Sequence, residues 1–271
     1  MPVPAHFQRF WHRLDELVGR VDPTWWGAVV SAPRFPAISD ANYARIDSPA
    51  SDLSAADVEA ALLPAIRASG ARVMHVVSFH PQEHAGLLDE LVRRGHRRTW
   101  DAVMDLVVPP EADGIDPPDA DGIRVDEPET DEAFWSSVEA SFALFGVEPH
   151  ETAVQLMAME RDLERAGAKR WFAVRDGAGA PVSIAALIVL DGVGYVDNVC
   201  TFPQARRRGY ASATTARAVR EAREAGAGHV GLLVDPGATS VIRMYERLGF
   251  VVAGRIAATR GAVPDQSGGG R

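Results

Sequence analysis

The sequence predicts an α/β protein of the mixed-sheet (α+β) type, organised as two consecutive domains. Its 271 residues exceed the usual size of one domain. Segments with apolar residues at strand and helix spacing alternate along most of the chain. They are interrupted once, at residues 109–121, by a segment rich in proline and acid. We therefore expect a smaller domain at 1–108, a linker at 109–121, a larger domain at 122–262 and a disordered tail at 263–271.

The composition fits a globular protein in solution, with 46% hydrophobic and 24% charged residues. A formal net charge of −9 argues against nonspecific nucleic-acid binding, which needs basic patches. Residues 1–11 lack the order of a signal peptide, and no apolar run reaches the ~18 residues of a membrane span. Cys200 is the single cysteine and cannot form an internal disulfide. We expect a cytoplasmic monomer or homodimer with no membrane or nucleic-acid partner.

The first half predicts helices and strands in alternation. Helical spacing predicts a helix over 7–20, ending near Gly19, and Ser54 is a candidate N-cap for a second helix. The adjacent Trp25 and Trp26 open a predicted strand and should point to opposite faces of it. The predicted elements are a helix at 7–20, a strand at 25–30, a helix at 54–68, a strand at 73–79, a helix at 86–94 and a strand at 100–108.

The second half predicts a longer series, with Thr130 as N-cap of its first helix. Asp-Gly pairs at 176–177 and 191–192 indicate hairpin turns between three strands. The series is a strand at 123–125, helices at 130–142 and 149–166, strands at 170–174, 181–190 and 193–201, a helix opened by Gly209, a strand at 230–234, a helix at 240–248 and a strand from 250. Residues 91–96 also align with 245–250, which indicates a weak internal repeat.

The stretch 196–212 predicts an anion site. A buried strand leads through a Pro-marked turn into a helix start, where unpaired backbone N–H groups and the positive end of the helix dipole converge. Arg206, Arg207 and Arg208 add charge in forked donors, and Gly209 lets an anion approach the backbone. A phosphate or pyrophosphate suits this site. The Walker loop and the dinucleotide Gly-x-Gly-x-x-Gly fingerprint are both absent from the stretch.

This stretch resembles motif A of the GCN5-related N-acetyltransferases, written Arg/Gln-x-x-Gly-x-Gly/Ala. Here it reads Arg-Arg-Arg-Gly-Tyr-Ala over 206–211, and Pro203 stands where the family often has a proline. The element order from 122 to about 260 is also that of the acyl-CoA N-acyltransferase (GNAT) fold. The first half matches only at its last helix and strands, so the resemblance implies a tandem form with a degenerate, smaller GNAT-like N-terminal domain.

The resemblance implies acetyl-coenzyme A as cosubstrate and no metal. Motif A would bind the pyrophosphate, and the exposed edge of the preceding strand would pair with the pantetheine amides as an added β-strand does. The cofactor-binding residues it implies are Val199, Cys200, Thr201, Arg206, Arg207, Arg208, Gly209, Tyr210, Ala211 and Ser212.

Residues 244–250, Met-Tyr-Glu-Arg-Leu-Gly-Phe, resemble the family's motif B. In the family the tyrosine at this position protonates the departing thiolate, which would be the role of Tyr245. A phenol suits that role because its pKa, like that of a thiol, lies well above neutrality. A purely packing role for Tyr245 is the alternative. The family often has an asparagine six or seven residues earlier, but Thr239 and Ala238 stand there, so any contact made by that asparagine is missing or replaced.

A general base is needed to deprotonate an ammonium acceptor. Asp197 on the motif A strand is the best-placed candidate, although strand alternation could also turn it away from the cleft. Glu148 and His150, in the loop between the first two helices of the second half, are the other candidates.

Two further patterns favour structural roles. Residues 80–84, His-Pro-Gln-Glu-His, spell the inverted zinc-protease motif, but Pro81 indicates a helix start, so the histidines would not share a helix face. Cys200 has no base beside it in sequence and lies in an apolar strand, which favours a small buried residue over an acyl carrier.

These residues together predict an N-acetyltransferase that transfers an acetyl group to a primary amine of a small molecule or peptide in a ternary complex, without an acyl-enzyme. The first half has no Arg-x-x-Gly-x-Ala sequence, and Leu91 replaces the tyrosine, so we expect it to be catalytically inactive. Two alternatives stay open from the sequence: a noncatalytic acyl-CoA-binding or regulatory module, and a transferase for a different acyl-CoA.

Overall fold

The structure, a computed structural model, describes residues 1–50, 52–107, 123–148 and 150–264. The chain forms two compact units: Met1–Asp101 with Gly254–Arg271, and Ala102–Ala253. The predicted linker and residues 265–271 of the predicted tail lie outside the described residues. None of the helices in the described ranges is long and apolar enough to cross a membrane.

The first unit is a mixed sheet with three helices. Its helices are α1 (Ala5–Val18), α2 (Ala55–Ser69) and α3 (Ala85–Arg93), and its strands are β1 (Arg20–Thr24), β2 (Gly27–Ser31), β3 (Tyr43–Ile46), β4 (Val73–Ser78) and the first half of β5 (Arg97–Val107). The last strand of the chain, β10 (Val251–Ala262), pairs with β4 and gives the order β1-β2-β3-β4-β10. Only the β3–β4 pair in this order is parallel.

Several elements of the first unit follow from local sequence. Ser54 caps α2 as predicted, and a reciprocal bond from Asp57 completes a capping box. The prediction was wrong at the tryptophan pair: Trp25 and Trp26 form the turn between β1 and β2, with Trp25 62% exposed and Trp26 2% exposed. β1 (Arg-Val-Asp-Pro-Thr) and β3 (Tyr-Ala-Arg-Ile) were not predicted, because both are short and neither has the apolar run that indicated β2.

The second unit carries α4 (Glu132–Leu144), α5 (His150–Arg165), α6 (Tyr210–Glu224) and α7 (Thr239–Arg247). Its strands are β6 (Lys169–Arg175), β7 (Pro181–Leu190), β8 (Val193–Thr201), β9 (His229–Val234) and the second half of β5. The order is β5-β9-β8-β7-β6, in which only the β8–β9 pair is parallel.

Two large clusters of buried side chains form much of the core of the second unit. One includes residues of α6, α7 and the sheet, among them Val219, Tyr245 and Phe250. The other includes Trp135 of α4 and Trp171 of β6, whose rings meet edge to face at 5.9 Å. Burying each such aromatic ring contributes roughly 1.5–3 kcal/mol.

Two predictions for the second unit were wrong in detail. Residues 123–125 form no strand; the backbone makes a single bridge, in which Asp126 and Ala173 exchange N–H···O bonds of 2.9 and 2.8 Å. The N-cap of α4 is Asp131, whose carboxylate accepts from the Phe134 N–H at 2.8 Å, because Thr130 instead donates to Glu164.

The compact units divide the chain differently from the expected boundaries of 1–108 and 122–262. The second half of β5 pairs with β9 and so belongs to the second unit, whereas β10 from Gly254 pairs with β4 and belongs to the first. A strand belongs with the strands that hydrogen-bond its backbone N–H and C=O groups. The order of residues in the sequence does not show which strands will pair.

The internal repeat has a matching local geometry in each unit. α3 ends with His96 N–H donating to Leu91 O at 3.0 Å, and α7 ends with Phe250 N–H donating to Tyr245 O at 3.1 Å. Gly95 (φ 94°) and Gly249 (φ 93°) hold the left-handed conformation that such helix ends require. In the first unit, the position equivalent to Tyr245 is the fully buried Leu91, a core residue.

Candidate active site

The candidate site is a cavity of about 630 Å³ in the second unit. Residues from four places in the sequence line it: the end of α4, the end of β8, the loop and first turn of α6, and one face of α7. Ten of the predicted site residues are among them: Val199, Cys200, Thr201, Arg206, Arg207, Gly209, Tyr210, Ala211, Ser212 and Tyr245. Arg208 and Asp197 do not line this cavity.

The start of α6 presents backbone donors to the cavity. Arg207 and Gly209 both have positive φ angles, 62° and 81°, which fold the loop into a concave turn before the helix. Gly209 is the N-cap and provides no side chain to satisfy the first N–H groups, so those of Tyr210, Ala211 and Ser212 stay available. With the helix dipole behind them, these donors can bind an anion.

The arginine side chains differ in their surroundings. Arg206 donates from Nε to the Thr201 carbonyl at 3.1 Å, which holds it against the end of β8 beside the cavity. Arg207 lines the same wall, whereas Arg208 does not line the cavity; all three arginines are exposed. α7 supplies another arginine, Arg247, and also Ser240, which lies about two helical turns earlier on the same face of the helix.

Strand β8 opens beside the cavity. Its parallel pairing with β9 extends only from Val193 to Tyr195 within the described strands. On its other side, Ala186 pairs with Asp197 and Ile184 with Cys200, so two residues of β8 face one of β7. Asn198 occupies this bulge with φ 49°. The segment from 196 to 201 therefore has no pairing with β9 within the described strands, and on this segment the Thr201 carbonyl accepts from Arg206.

Tyr245 is a buried phenol in the cavity lining. It is 5% exposed and its ring packs edge to face on Phe250 at 5.8 Å. Burial, and next the charge of Asp197, raise the pKa of the Tyr245 phenol well above its usual range. The phenol is therefore protonated at neutral pH and able to donate.

Cys200 lines the cavity but is buried, at 5% exposure. Burial raises the pKa of its thiol, and the charge of Arg206 opposes this only in part. A protonated thiol is a poor nucleophile. The structure thus favours the small buried residue that the sequence indicated.

Both carboxylate oxygens of Asp197 already accept hydrogen bonds. Its Oδ2 accepts a hydrogen bond of 2.6 Å from Lys169 Nζ, and its Oδ1 accepts from the Asn198 N–H at 2.9 Å. Its side chain keeps 31% exposure. The alternative bases Glu148 and His150 are exposed and lie outside the cavity lining.

The histidine pair of the zinc-like pattern is engaged elsewhere. His84 Nδ1 lies 2.8 Å from Ser78 Oγ, and its Nε2 lies 3.1 Å from the Ala50 carbonyl. Residues 81–84 form a turn before α3 rather than part of the helix. Both ring nitrogens of His84 are therefore used in structural hydrogen bonds.

Comparison with known proteins identifies the family. Residues 132–250 match the model of the Acetyltransferase (GNAT) family. Residues 132–250 therefore form a domain of the GNAT family. No match was found among curated proteins.

Solved structures resemble this chain in fold over most of its length. A functionally unknown conserved protein from Staphylococcus epidermidis has a TM-score of 0.65 at 14% identity, covering 86% of this chain and 89% of its own. A GCN5-related N-acetyltransferase from Kribbella flavida has a TM-score of 0.61 at 22% identity, covering 93% and 94%. A tandem GNAT protein from the clavulanic acid biosynthesis pathway has a TM-score of 0.55 at 13% identity, covering 98% and 99%. The predicted GNAT fold and tandem form are confirmed.

Sequence reasoning missed several residues at the site. Ser240, Met244 and Arg247 recur at helical spacing along α7, so periodicity around motif B could have found them. Leu144 and Phe145, at the end of α4, have no local signal because only the fold brings them to the cavity. The partners of Asp197 were also missed, although Lys169 is the only lysine in the sequence.

Proposed function

We propose that this GNAT-family protein is an N-acetyltransferase that transfers an acetyl group from acetyl-CoA to a primary amine of a small molecule or peptide. The observation that carries the proposal is that the motif A loop, the open edge of β8 and Tyr245 all line one cavity. Arg206, Arg207 and residues 209–212 would bind the pyrophosphate, 199–201 the pantetheine amides, and Tyr245 would lie beside the sulfur.

The arrangement supports direct attack in a ternary complex. The amine nitrogen forms a bond to the thioester carbon, and the C–S bond then breaks with its electron pair on sulfur. Tyr245, held protonated by its raised pKa, can give the thiolate its proton. Cys200 favours this route over an acyl-enzyme because burial keeps its thiol protonated.

Acceptor turnover separates this function from its alternatives. Thiol release from acetyl-CoA is measured with a panel of small-molecule and peptide amines, and then with longer acyl-CoA donors. We expect turnover with acetyl-CoA and at least one amine. Binding of CoA without turnover on any amine would favour the noncatalytic module, an option suggested by Ala238 and Thr239 in place of the family's asparagine. Faster turnover with a longer donor would identify a different acyltransferase.

Tyr245→Phe tests the proton donor. We expect kcat to fall about 100-fold or more with KM little changed, because general acid catalysis typically contributes 10²–10⁴-fold. Tyr210→Phe is the matched control, since Tyr210 also lines the cavity but contributes its backbone N–H. If Tyr245→Phe is as active as the wild type, Tyr245 is not the proton donor and its role is only to pack in the core.

A further inference from the structure

A buried cluster of three charged side chains lies behind Asp197. Lys169 of β6 is 1% exposed, and its Nζ lies 2.6 Å from Asp197 Oδ2 on β8 and 2.6 Å from Glu160 Oε2 on α5. Glu160 is also buried, with its side chain 5% exposed. The Trp171 ring lies 5.1 Å from the same ammonium and covers it. We call Glu160, Lys169 and Asp197 the triad.

The triad is unbalanced in charge. Two carboxylates share one ammonium, so the fully ionised triad carries one negative charge in excess within a mostly buried site. An excess buried charge is costly, and binding one proton removes it. When charged groups interact this strongly, the proton belongs to the cluster rather than to one carboxylate.

Resting on the proposed function, we infer that the triad as a whole, rather than Asp197 alone, accepts the proton of the ammonium acceptor, with Glu160 and Lys169 as positioning residues that set its proton affinity. Asp197 is the member through which a substrate can reach the triad, because it alone is substantially exposed. It stands outside the cavity lining, but its charge acts on Tyr245, which lines the cavity.

The charges around the triad are consistent with this role. Burial raises the pKa of Glu160, the charge of Lys169 opposes this, and the charge of Asp197 adds to it. Burial opposes the charge of Lys169, yet Asp197 and Glu160 outweigh it and raise the pKa of the ammonium. Lys169 thus stays charged while a carboxylate takes the proton. The other titratable group that senses Asp197 is Tyr245.

The proton balance of the reaction then closes. The ammonium loses one proton to the triad, which later releases it to water. The neutral amine attacks the thioester, and the C–S bond breaks. The nitrogen loses its second proton as the amide forms, which replaces the one that Tyr245 gives to the sulfur. The overall products are the amide, the free thiol and one proton.

The single lysine gives a direct readout that needs no acceptor. Protein labelled with ¹⁵N at the lysine side chain has one protein ammonium signal, that of Lys169. We expect its chemical shift to change in one step above the ordinary carboxyl range as pH is raised. Glu160→Gln leaves a balanced Lys169–Asp197 pair, so this step should move to lower pH or vanish. Glu164→Gln, on the same helix, is the matched control and should leave the step unchanged.

Kinetics then test whether the triad serves catalysis. In Glu160→Gln the acidic limb of kcat/KM should move to lower pH by the same interval as the lysine step, with kcat lower for the more basic amines. A lysine step that is absent in wild type or unchanged in Glu160→Gln overturns the shared proton. A lysine step that moves while the kinetic limb stays overturns the catalytic role. If no amine is turned over, the proposed function fails while the shared proton is still decided by the lysine signal.

Discussion

Three consecutive arginines at the start of α6 have different surroundings. Arg206 bonds the end of β8, Arg207 lines the cavity from a left-handed backbone position, and Arg208 lies outside the cavity lining. The sequence predicted one role for all three, because charge and spacing alone do not distinguish them. The positive φ of Arg207 turns neighbouring side chains in different directions, and that turn could not be read from residue types.

The arginine difference is testable with a matched pair of variants. Arg207→Gln should weaken acetyl-CoA binding about tenfold, because a charge-assisted hydrogen bond at a partly exposed site contributes about 1.5 kcal/mol. Arg208→Gln should leave the dissociation constant within about twofold. Isothermal titration calorimetry measures both dissociation constants. An equal loss of acetyl-CoA affinity in the two variants would mean that the arginines act only by long-range electrostatic attraction and make no specific contact.

Cys200 tests the absence of an acyl-enzyme. Cys200→Ala removes the only sulfhydryl while keeping a small side chain in the strand. We expect kcat to stay within about threefold of wild type, since direct attack needs no thiol. A loss of about 100-fold or more in a folded variant, or acetylation of Cys200 seen by mass spectrometry, would refute direct attack.

At the scale of elements, the bulge in β8 positions the site. The sequence predicted β8 from its apolar run, and it predicted the helix start from glycine and arginine. It could not predict that pairing with β9 stops at Tyr195 or that Asn198 adopts a positive φ, because both depend on neighbours distant in sequence. Because of these two features, the second half of β8 has an edge that does not pair with β9 within the described strands.

The contact of α1 with β3 holds a second buried charged group. Asp15 on α1 is 5% exposed, accepts from Tyr43 Oη at 2.8 Å and pairs with Arg45, which also bonds Asp47 at 2.9 Å. Burial raises the pKa of Asp15 to about 6, although Arg45 and Tyr43 oppose the rise. The folded protein therefore binds this proton more tightly than the unfolded chain.

A raised carboxyl pKa predicts stability that falls as pH rises. Between the unfolded value of 3.8 and the folded value of about 6, Asp15 should reduce the free energy of unfolding, by at most about 3 kcal/mol. Asp15→Asn cannot ionise and Arg45 keeps Asp47, so the variant should gain stability relative to wild type between pH 4 and 7. Urea unfolding at both pH values measures the difference. A stability difference that is independent of pH would contradict the raised pKa.

At the scale of the molecule, the first unit includes most of β10 from the other end of the chain, and β5 is divided between the two units. The order of elements was read correctly in the second half, apart from residues 123–125, because its helices and strands are long and separated by clear turn signals. The assignment of β5 and β10 to units could not be read, since strand pairing is a contact between segments far apart in sequence. The same limit hid the partners of Asp197.

Acetyl-CoA binding tests the central claim most directly. The melting temperature of the full chain is measured with increasing acetyl-CoA, beside the same titration of Arg207→Gln. We predict a rise that corresponds to about 2.7 kcal/mol at a hundredfold excess over the dissociation constant, and a smaller rise for the variant at equal concentration. An unchanged melting temperature up to about 10 mM acetyl-CoA, ten times the upper end of the usual range of KM values, would contradict the claim that this cavity binds the acetyl donor.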